Sequence, residues 1–343
     1  MTIDASQIGL FDIENKLAQL SALGDPLEKL DTAINWKHFK PVLNKAFHKE
    51  RKSNAGRPPF DYIFMFKILV LQTMYNLSDA QTQFQIIDRH SFKRFLGIRD
   101  ERQIPDEKTI WLFRETLTQA GAVKKLFDMF NRYLEDAGYR AQKGQMIDAS
   151  FVEVPRQRNT REENKQISDG TIPEDWHNNP AKLRQKDTDA RWTKKNNTTY
   201  YGYKNHVNAD VKRKLIRDYS VTAASVHDSQ EFEGLLDNKN TGKGVWADSA
   251  YHSEETEELL KKRKLKSNIH RKSYRNSPLS DFQQKRNKEK SRIRVRVEHI
   301  FGWLEGRTGS YLRSIGQLRA ATRIGMMNLV YNMNRYRYLE RIT

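Results

Sequence analysis

The chain has 343 residues, of which 37% are hydrophobic and 30% charged, with a formal net charge of +18. The length allows two or three domains, and the balance of hydrophobic and charged residues predicts folded cores with polar arms or insertions. There is no cysteine, which excludes disulfides, thiolate metal sites and a cysteine nucleophile. The positive charge is clustered, and a polyanion relieves it: nucleic acid first, an anionic membrane surface second. The opening residues, MTIDASQIGL, lack the basic start and apolar run of a signal peptide. The most apolar stretch, Tyr62 to Tyr75, carries Lys67 and is too short to span a bilayer. A cytoplasmic protein with access to DNA and no membrane span is expected.

Residues 1–55 are polar with scattered apolar positions and read as an arm or short helices. Gly56-Arg57-Pro58-Pro59 is a break. Arg57 there either enters a minor groove or belongs to a plain linker in which Pro prepares a helix start. Phe60 to Asn76 is apolar almost all round, so the predicted helix is buried. Ser78 with Gln81 forms a capping-box pattern that opens a helix to about Asp88. Pro105-Asp106 opens a third, with Ile110, Phe113 and Leu117 on one face. Residues 56–140 thus predict a helical domain for DNA binding or dimerisation. Within it, 77–119 is a candidate helix-turn-helix; packing and dimerisation are equally good uses of those helices.

The character changes at Gly144. Gln145 to Val154 reads as a strand. Residues 156–198 are polar, basic and poor in aliphatics, and read as an inserted loop outside the core. Tyr200 to Val211 and Leu215 to Val226 read as a hairpin turning at Lys212-Arg213-Lys214. A short helix at Ser229 to Leu236 follows, then a strand at Gly244 to Ala250. A helix that is first acidic and then basic runs from Glu254 to about Lys264. A short strand near Lys266 to His270, a long helix over Leu279 to Leu304 and an amphipathic helix over Gln317 to Leu339 complete the order. Leu318, Met326, Leu329, Val330 and Met333 suit the last helix to core packing first and to an interface second. Residues 141–343 therefore predict an α/β domain, a mixed sheet flanked by helices in the ribonuclease H-like order.

Two aspartates sit where charge is costly. Asp148 lies inside the apolar strand Met146-Ile147-Asp148-Ala149, and Asp248 ends the strand Val245-Trp246-Ala247. A carboxylate so placed needs a partner or a metal, and carboxylates at the ends of neighbouring strands converge in one crevice. The third candidate lies on the long helix. Ile293, Val297, Ile300, Phe301 and Leu304 form its buried stripe, and Glu298 borders that stripe with Arg294 one turn before it. Arg294 either pairs with Glu298 in the crevice or binds a phosphate oxygen, or the two make an ordinary surface ion pair. Three carboxylates suit magnesium or manganese, two ions roughly 4 Å apart serving in-line displacement at phosphorus. His206, His227 and His252 lack the spacing of a zinc protease; His252, with Tyr251, follows Asp248 closely enough to stand near the site.

Several short segments occur in order: Gly56-Arg57-Pro58-Pro59-Phe60, Pro105-Asp106-Glu107-Lys108-Thr109-Ile110, Asp187-Thr188-Asp189-Ala190-Arg191-Trp192-Thr193-Lys194-Lys195, Tyr201-Gly202-Tyr203-Lys204, Ala247-Asp248-Ser249-Ala250-Tyr251 and Val297-Glu298-His299-Ile300-Phe301-Gly302. Together, over about residues 40 to 335, they resemble the bacterial insertion-sequence transposases of the DDE class, in the group named after insertion sequence five. The resemblance implies a ribonuclease H-like catalytic core and recognition of terminal inverted repeats. It also implies metal-dependent strand cleavage and transfer, with Asp148, Asp248 and Glu298 as the triad. A nucleoid-associated cytoplasmic location and a dimer or larger assembly on paired DNA ends follow. Related families carry Tyr, Arg, Glu and Lys around the last carboxylate. Arg294 and Glu298 match, while Ser291 stands for Tyr and Glu305 for Lys. Arg307 is the candidate substitute for that Lys, and Glu305 a rival third carboxylate.

Lys261 to Arg296 is dense in Lys and Arg, as a surface following a DNA backbone would be, or as a solvated helix face would be. Arg191, Trp192, Lys194 and Lys195, with Lys204, are the other DNA-binding candidates. A Trp among basic residues suits a clamp that stacks on an unpaired base. Two other functions fit the same residues: a ribonuclease H-like nuclease without strand joining, and a catalytically inactive DNA-binding regulator.

Overall fold

A computed structural model describes residues 11–48, 58–100, 104–195, 197–274 and 277–342; Arg57 lies outside them. The chain divides into two compact units, one of Met1–Leu117 with Tyr336–Thr343 and one of Thr118–Arg335.

The first unit is helical. It comprises α1 (Asp12–Ala22), α2 (Pro26–Ala33), α3 (Lys40–Phe47), α4 (Tyr62–Met74), α5 (Asp79–Asp88), α6 (His90–Leu96) and most of α7 (Glu107–Gln119). As its all-round apolar sequence predicts, α4 is its centre, with Phe66, Ile68, Val70 and Leu71 fully buried. Asp61 caps it by accepting the Phe64 amide, and Ser78 and Gln81 form the expected reciprocal box at the start of α5. Asp79 then takes a two-pronged pair from Arg114 at 2.5 and 2.8 Å, tying α5 to α7.

The second unit holds α8 (Ala122–Asp136) and six strands: β1 (Gln145–Glu153), β2 (Arg191–Lys195), β3 (Thr198–Asp210), β4 (Ile216–Ala223), β5 (Gly244–Trp246) and β6 (Lys266–Ser267). Its helices are α9 (Arg161–Ser168), α10 (Glu174–His177), α11 (Pro180–Arg184), α12 (Phe232–Leu235), α13 (Glu254–Lys262), α14 (Asp281–Thr308) and α15 (Gln317–Ile342). β3 is central, antiparallel to the whole of β1 and, on its other side, to β4, while β5 joins β1 in parallel and β6 joins β5. The spatial order β2-β3-β1-β5-β6, with β4 also paired to β3, is the mixed, ribonuclease H-like sheet expected from the element order. Gly202 is required in β3, because a Cβ there would meet the Val152 carbonyl at 2.4 Å.

Helices cover both sheet faces. Asn205 exchanges amide hydrogen bonds of 2.9 and 3.0 Å with Asn328 of α15. Asn208, an odd number of residues away and so on the other face, donates to Leu235 of α12. α15 uses Met326, Leu329, Val330 and Met333 as core, as expected, while Leu318 is exposed. Asn332 accepts the Ile216 amide at 2.9 Å and donates to the Ile216 carbonyl at 2.7 Å, completing β4 from the side.

Residues 156–198 are not a loop. They fold into α9, α10, α11 and β2. Trp176 is fully buried and donates to Glu163 at 2.8 Å, Ile167 of α9 is buried too, and Thr160 with Glu163 caps α9. Asp187 accepts the Asp189 and Ala190 amides, the Tyr203 hydroxyl at 2.8 Å and the Gly316 amide at 3.1 Å. Beside it, Asp189 accepts the Gln317 amide. A few large anchors and a buried acceptor thus hold a segment whose average composition is polar.

Candidate active site

Asp148 occupies the middle of β1, opposite Val207 of β3, on the sheet face that carries Asn205 and α15. Its Oδ1 accepts the Ala149 amide at 2.9 Å. Its Oδ2 accepts Nη1 of Arg294, reaching over from α14, at 2.7 Å. The same Nη1 lies 3.2 Å from Oε1 of Glu298, one turn further along α14. Asp248 follows β5 and caps the short 3-10 turn Ser249–Tyr251 by accepting the Ala250 amide at 2.7 Å. Burial pushes the Asp148 carboxyl up to about 6; Arg294 and the Ala149 amide oppose this, while Asp248 and Glu298 add to it. Those last two effects place both carboxylates within electrostatic reach of Asp148.

The three residues are therefore brought to one locality, with Arg294 bridging two of them. Among the described residues, no three His, Asp or Glu side chains stand close enough to hold a metal ion as they are. The donor chemistry fits a hard divalent cation nevertheless: three carboxylates, one raised first by burial and further by the other two, gain from a cation that cancels their repulsion. Glu305 is exposed and makes no contact with Arg294, so the bridge favours Glu298. Arg307 is exposed near the end of α14. Ser291, in the position of the family Tyr, donates to the Asn287 carbonyl and meets His270 Nε2 at 3.3 Å.

His270 had no role in the sequence reading. Its amide donates to the Ala247 carbonyl at 3.2 Å, next to Asp248. Burial lowers its imidazole, and Arg294 and Lys290 lower it further while Asp248 raises it. The available signal was its place just beyond β6, matching that of Asp248 just beyond β5. Tyr251 turns into the core beside Phe232, at 5.6 Å between ring centroids, and its buried hydroxyl has no hydrogen-bond partner. Burial first, then Asp148, Asp228 and Asp248, hold that hydroxyl well above its usual range. His252 is half-buried after the same turn.

The remaining DNA-binding candidates do not join this locality. β2 pairs with the outer end of β3, Trp192 opposite Tyr201, which is six residues and roughly 20 Å along the strand from Val207. Trp192 packs on Tyr201 at 4.8 Å, with Arg156 on its ring, so its stacking surface is partly used. Arg191 spends its guanidinium on the Thr188, Ala190 and Ile167 carbonyls. Lys194 and Lys195 are exposed.

Lys204 is buried: it donates to the Val226 carbonyl and to Asp228, both at 2.7 Å. A lysine read from sequence as a DNA contact is instead half of an internal ion pair. Lys204→Met is expected to cost about 3 kcal/mol, because Asp228 stays buried without its cation. A denaturant melt checks this; an unchanged melt with weakened DNA binding would return Lys204 to the surface.

Its neighbour His206 is fully buried, with Nε2 2.8 Å from Thr222 Oγ1 and Nδ1 unpartnered, 4.0 Å from Asp228. Burial lowers the imidazole from 6.5 to about 4, Asp228 and Glu231 oppose this, and Lys204 adds to it. The fold thus holds His206 neutral. Its contribution is complete above about pH 6.5 and is lost as pH falls toward 4, a change of about 3 kcal/mol. His206→Gln is expected to flatten that part of the stability-against-pH curve, and equal slopes in variant and wild type would contradict it.

The Transposase DDE domain family matches residues 140–333, the span that carries the three carboxylates. The family described as Transposase domain (DUF772) matches residues 15–116, the helical part. A solved structure, the piggyBac transposase synaptic complex with hairpin DNA, is similar over 92% of this chain and 75% of its own, at 13% identity and a TM-score of 0.47. No helix among the described residues is long and apolar enough to cross a membrane.

Proposed function

This chain belongs to the transposase DDE domain family, and from that premise we propose that it binds the terminal inverted repeats of an insertion sequence and catalyses DNA strand cleavage and transfer. The observation that carries the proposal is the meeting of Asp148 Oδ2 and Glu298 Oε1 at one nitrogen of Arg294, within electrostatic reach of Asp248. Asp148, Asp248 and Glu298 are the residues to hold magnesium or manganese, two ions per site. When bound, these ions supply Lewis acidity to the attacking and leaving oxygens of an in-line displacement. The middle of β1 sets Asp148, the turn after β5 sets Asp248 and α14 brings Glu298, so two of the three groups stand on regular elements.

The basic N-terminal part of α14 supports a DNA path beside these residues. Its buried positions are confined to Val297, Ile300, Phe301, Leu304 and Thr308, which leaves Lys285, Arg286 and Lys288 in water ahead of the site. Lys194, Lys195 and Arg307 are further exposed cations suited to phosphate contacts. End recognition or pairing falls to the helical unit, where Phe84, Ile87, Trp111 and Leu112 are exposed. Two ends must be handled together, so a dimer or larger assembly on DNA is part of the proposal. So is work at the nucleoid.

A nicking assay on a plasmid carrying both element ends tests the site. Glu298→Gln is expected to remove magnesium-dependent nicking and Glu305→Gln to leave it. The reverse pattern would make Glu305 the third carboxylate.

A further inference from the structure

Arg294 occupies an unusual position. Its Nη1 is held by a nearly buried aspartate at 2.7 Å and by Glu298 at 3.2 Å, and its Nε is buried with no hydrogen-bond partner. A guanidinium normally spends its donors in a planar fork on one anion; here one nitrogen, Nη1, is hydrogen-bonded to Asp148 and ion-paired with Glu298, and a buried N–H is left unused. The two oxygens it holds belong to the residues proposed to hold metal.

We propose that Arg294 is an internal counter-cation that fills the place of the divalent ion and must leave Asp148 and Glu298 before a metal can bind there. This rests on the active-site reading of those carboxylates and extends it to how the site is switched on. Asp148 Oδ2 cannot give the same lone-pair direction to a guanidinium hydrogen and to a metal, so the two cations compete. Once released, the guanidinium remains on α14 beside the site with its fork free, and a DNA phosphate is the anion best shaped to take it. Phosphate binding therefore draws Arg294 off the carboxylates and raises their metal affinity. By linkage, metal binding raises DNA affinity by the same factor. Without DNA, the bridge keeps a site capable of cutting DNA poorly metallated.

The test is Mn2+ binding to the full-length protein, followed by calorimetry with and without a short duplex and paired with thermal melts. Without DNA, Arg294→Met is expected to bind Mn2+ roughly tenfold more tightly than wild type. Its metal-free melting temperature falls, and Mn2+ raises that temperature more than it does in wild type. Arg292→Gln, which removes an exposed charge two residues away, is expected to leave Mn2+ affinity unchanged, which separates displacement from a general loss of positive charge. Duplex DNA is expected to tighten Mn2+ binding to wild type by a similar factor and to do nothing further for Arg294→Met. Equal or weaker Mn2+ binding by Arg294→Met overturns the proposal, as does an equal gain in Arg292→Gln. If Arg294→Met does not fold, the duplex effect on wild type decides alone, and its absence overturns the proposal. If no form binds Mn2+, the carboxylate reading itself fails, whereas equal binding by all forms removes only the role of Arg294.

Discussion

Asp148→Asn is expected to lower strand cleavage at least about a thousandfold, a loss of about 4 kcal/mol of transition-state stabilisation, while making the metal-free protein more stable at pH 8. The first effect follows from removing one anionic ligand at the centre of the proposed site. The second follows from burial, which lifts the Asp148 carboxyl from 3.8 to about 6 despite Arg294. A raised carboxyl is charged at a cost: the penalty is absent below about pH 3.8, grows through pH 6 and is then complete, at about 3 kcal/mol. Asparagine carries no such penalty; its single amide oxygen keeps the bond to Arg294 and gives up the Ala149 amide, so the gain at pH 8 is smaller than that ~3 kcal/mol. Denaturant melts at pH 5 and pH 8 without divalent metal check this. A variant that is less stable than wild type at pH 8 would show that the ionised carboxylate is held for structural reasons.

Asp187→Ala is expected to be the most destabilising change in the segment 156–198, at about 5 kcal/mol. It leaves the buried Ala190 amide and Tyr203 hydroxyl, and the partly buried Asp189 and Gly316 amides, without their acceptor, each worth about 1–3 kcal/mol. The melting temperature falls by roughly 10–20 °C for a unit of this size. The start of α15 loses its tie to the turn before β2 at the same time. Thermal unfolding checks the magnitude. A shift of only a degree or two would mean that the segment is attached loosely after all, as its composition suggested.

The parts of the fold legible in the sequence are those written in local chemistry. α4 is apolar on every side and is buried; Ser78 and Gln81 cap α5; the hairpin turns at Lys212-Arg213-Lys214. Asp148 and Asp248 stood out because a charge in an apolar strand demands a reason. What was not legible depends on distant partners. The stretch 156–198 looked like a loop because its core rests on Trp176 and Ile167, with Asp187 as acceptor, and its strand pairs only with β3. Lys204 read as surface because nothing near it in sequence announces Asp228 as a partner. Asn328 and Asn332 interrupt the apolar stripe of α15, yet they bond to β3 and β4. His270 acquires meaning only when β5, β6 and α14 bring Ala247, Ser291 and Arg294 around it.

As proposed, Asp148, Asp248 and Glu298 form one metal-dependent site that both cuts and joins DNA. Strand joining measures it most directly. The full-length protein, given duplexes from both ends of its element, a target plasmid and magnesium, is assayed for covalently joined strands by sequencing across the junctions. Wild type is predicted to give joined product only with the divalent ion, and Asp248→Asn, folded to the same extent, to give none. Joined product from Asp248→Asn at the wild-type level would contradict the account, and cut ends that wild type never joins would make the protein a nuclease.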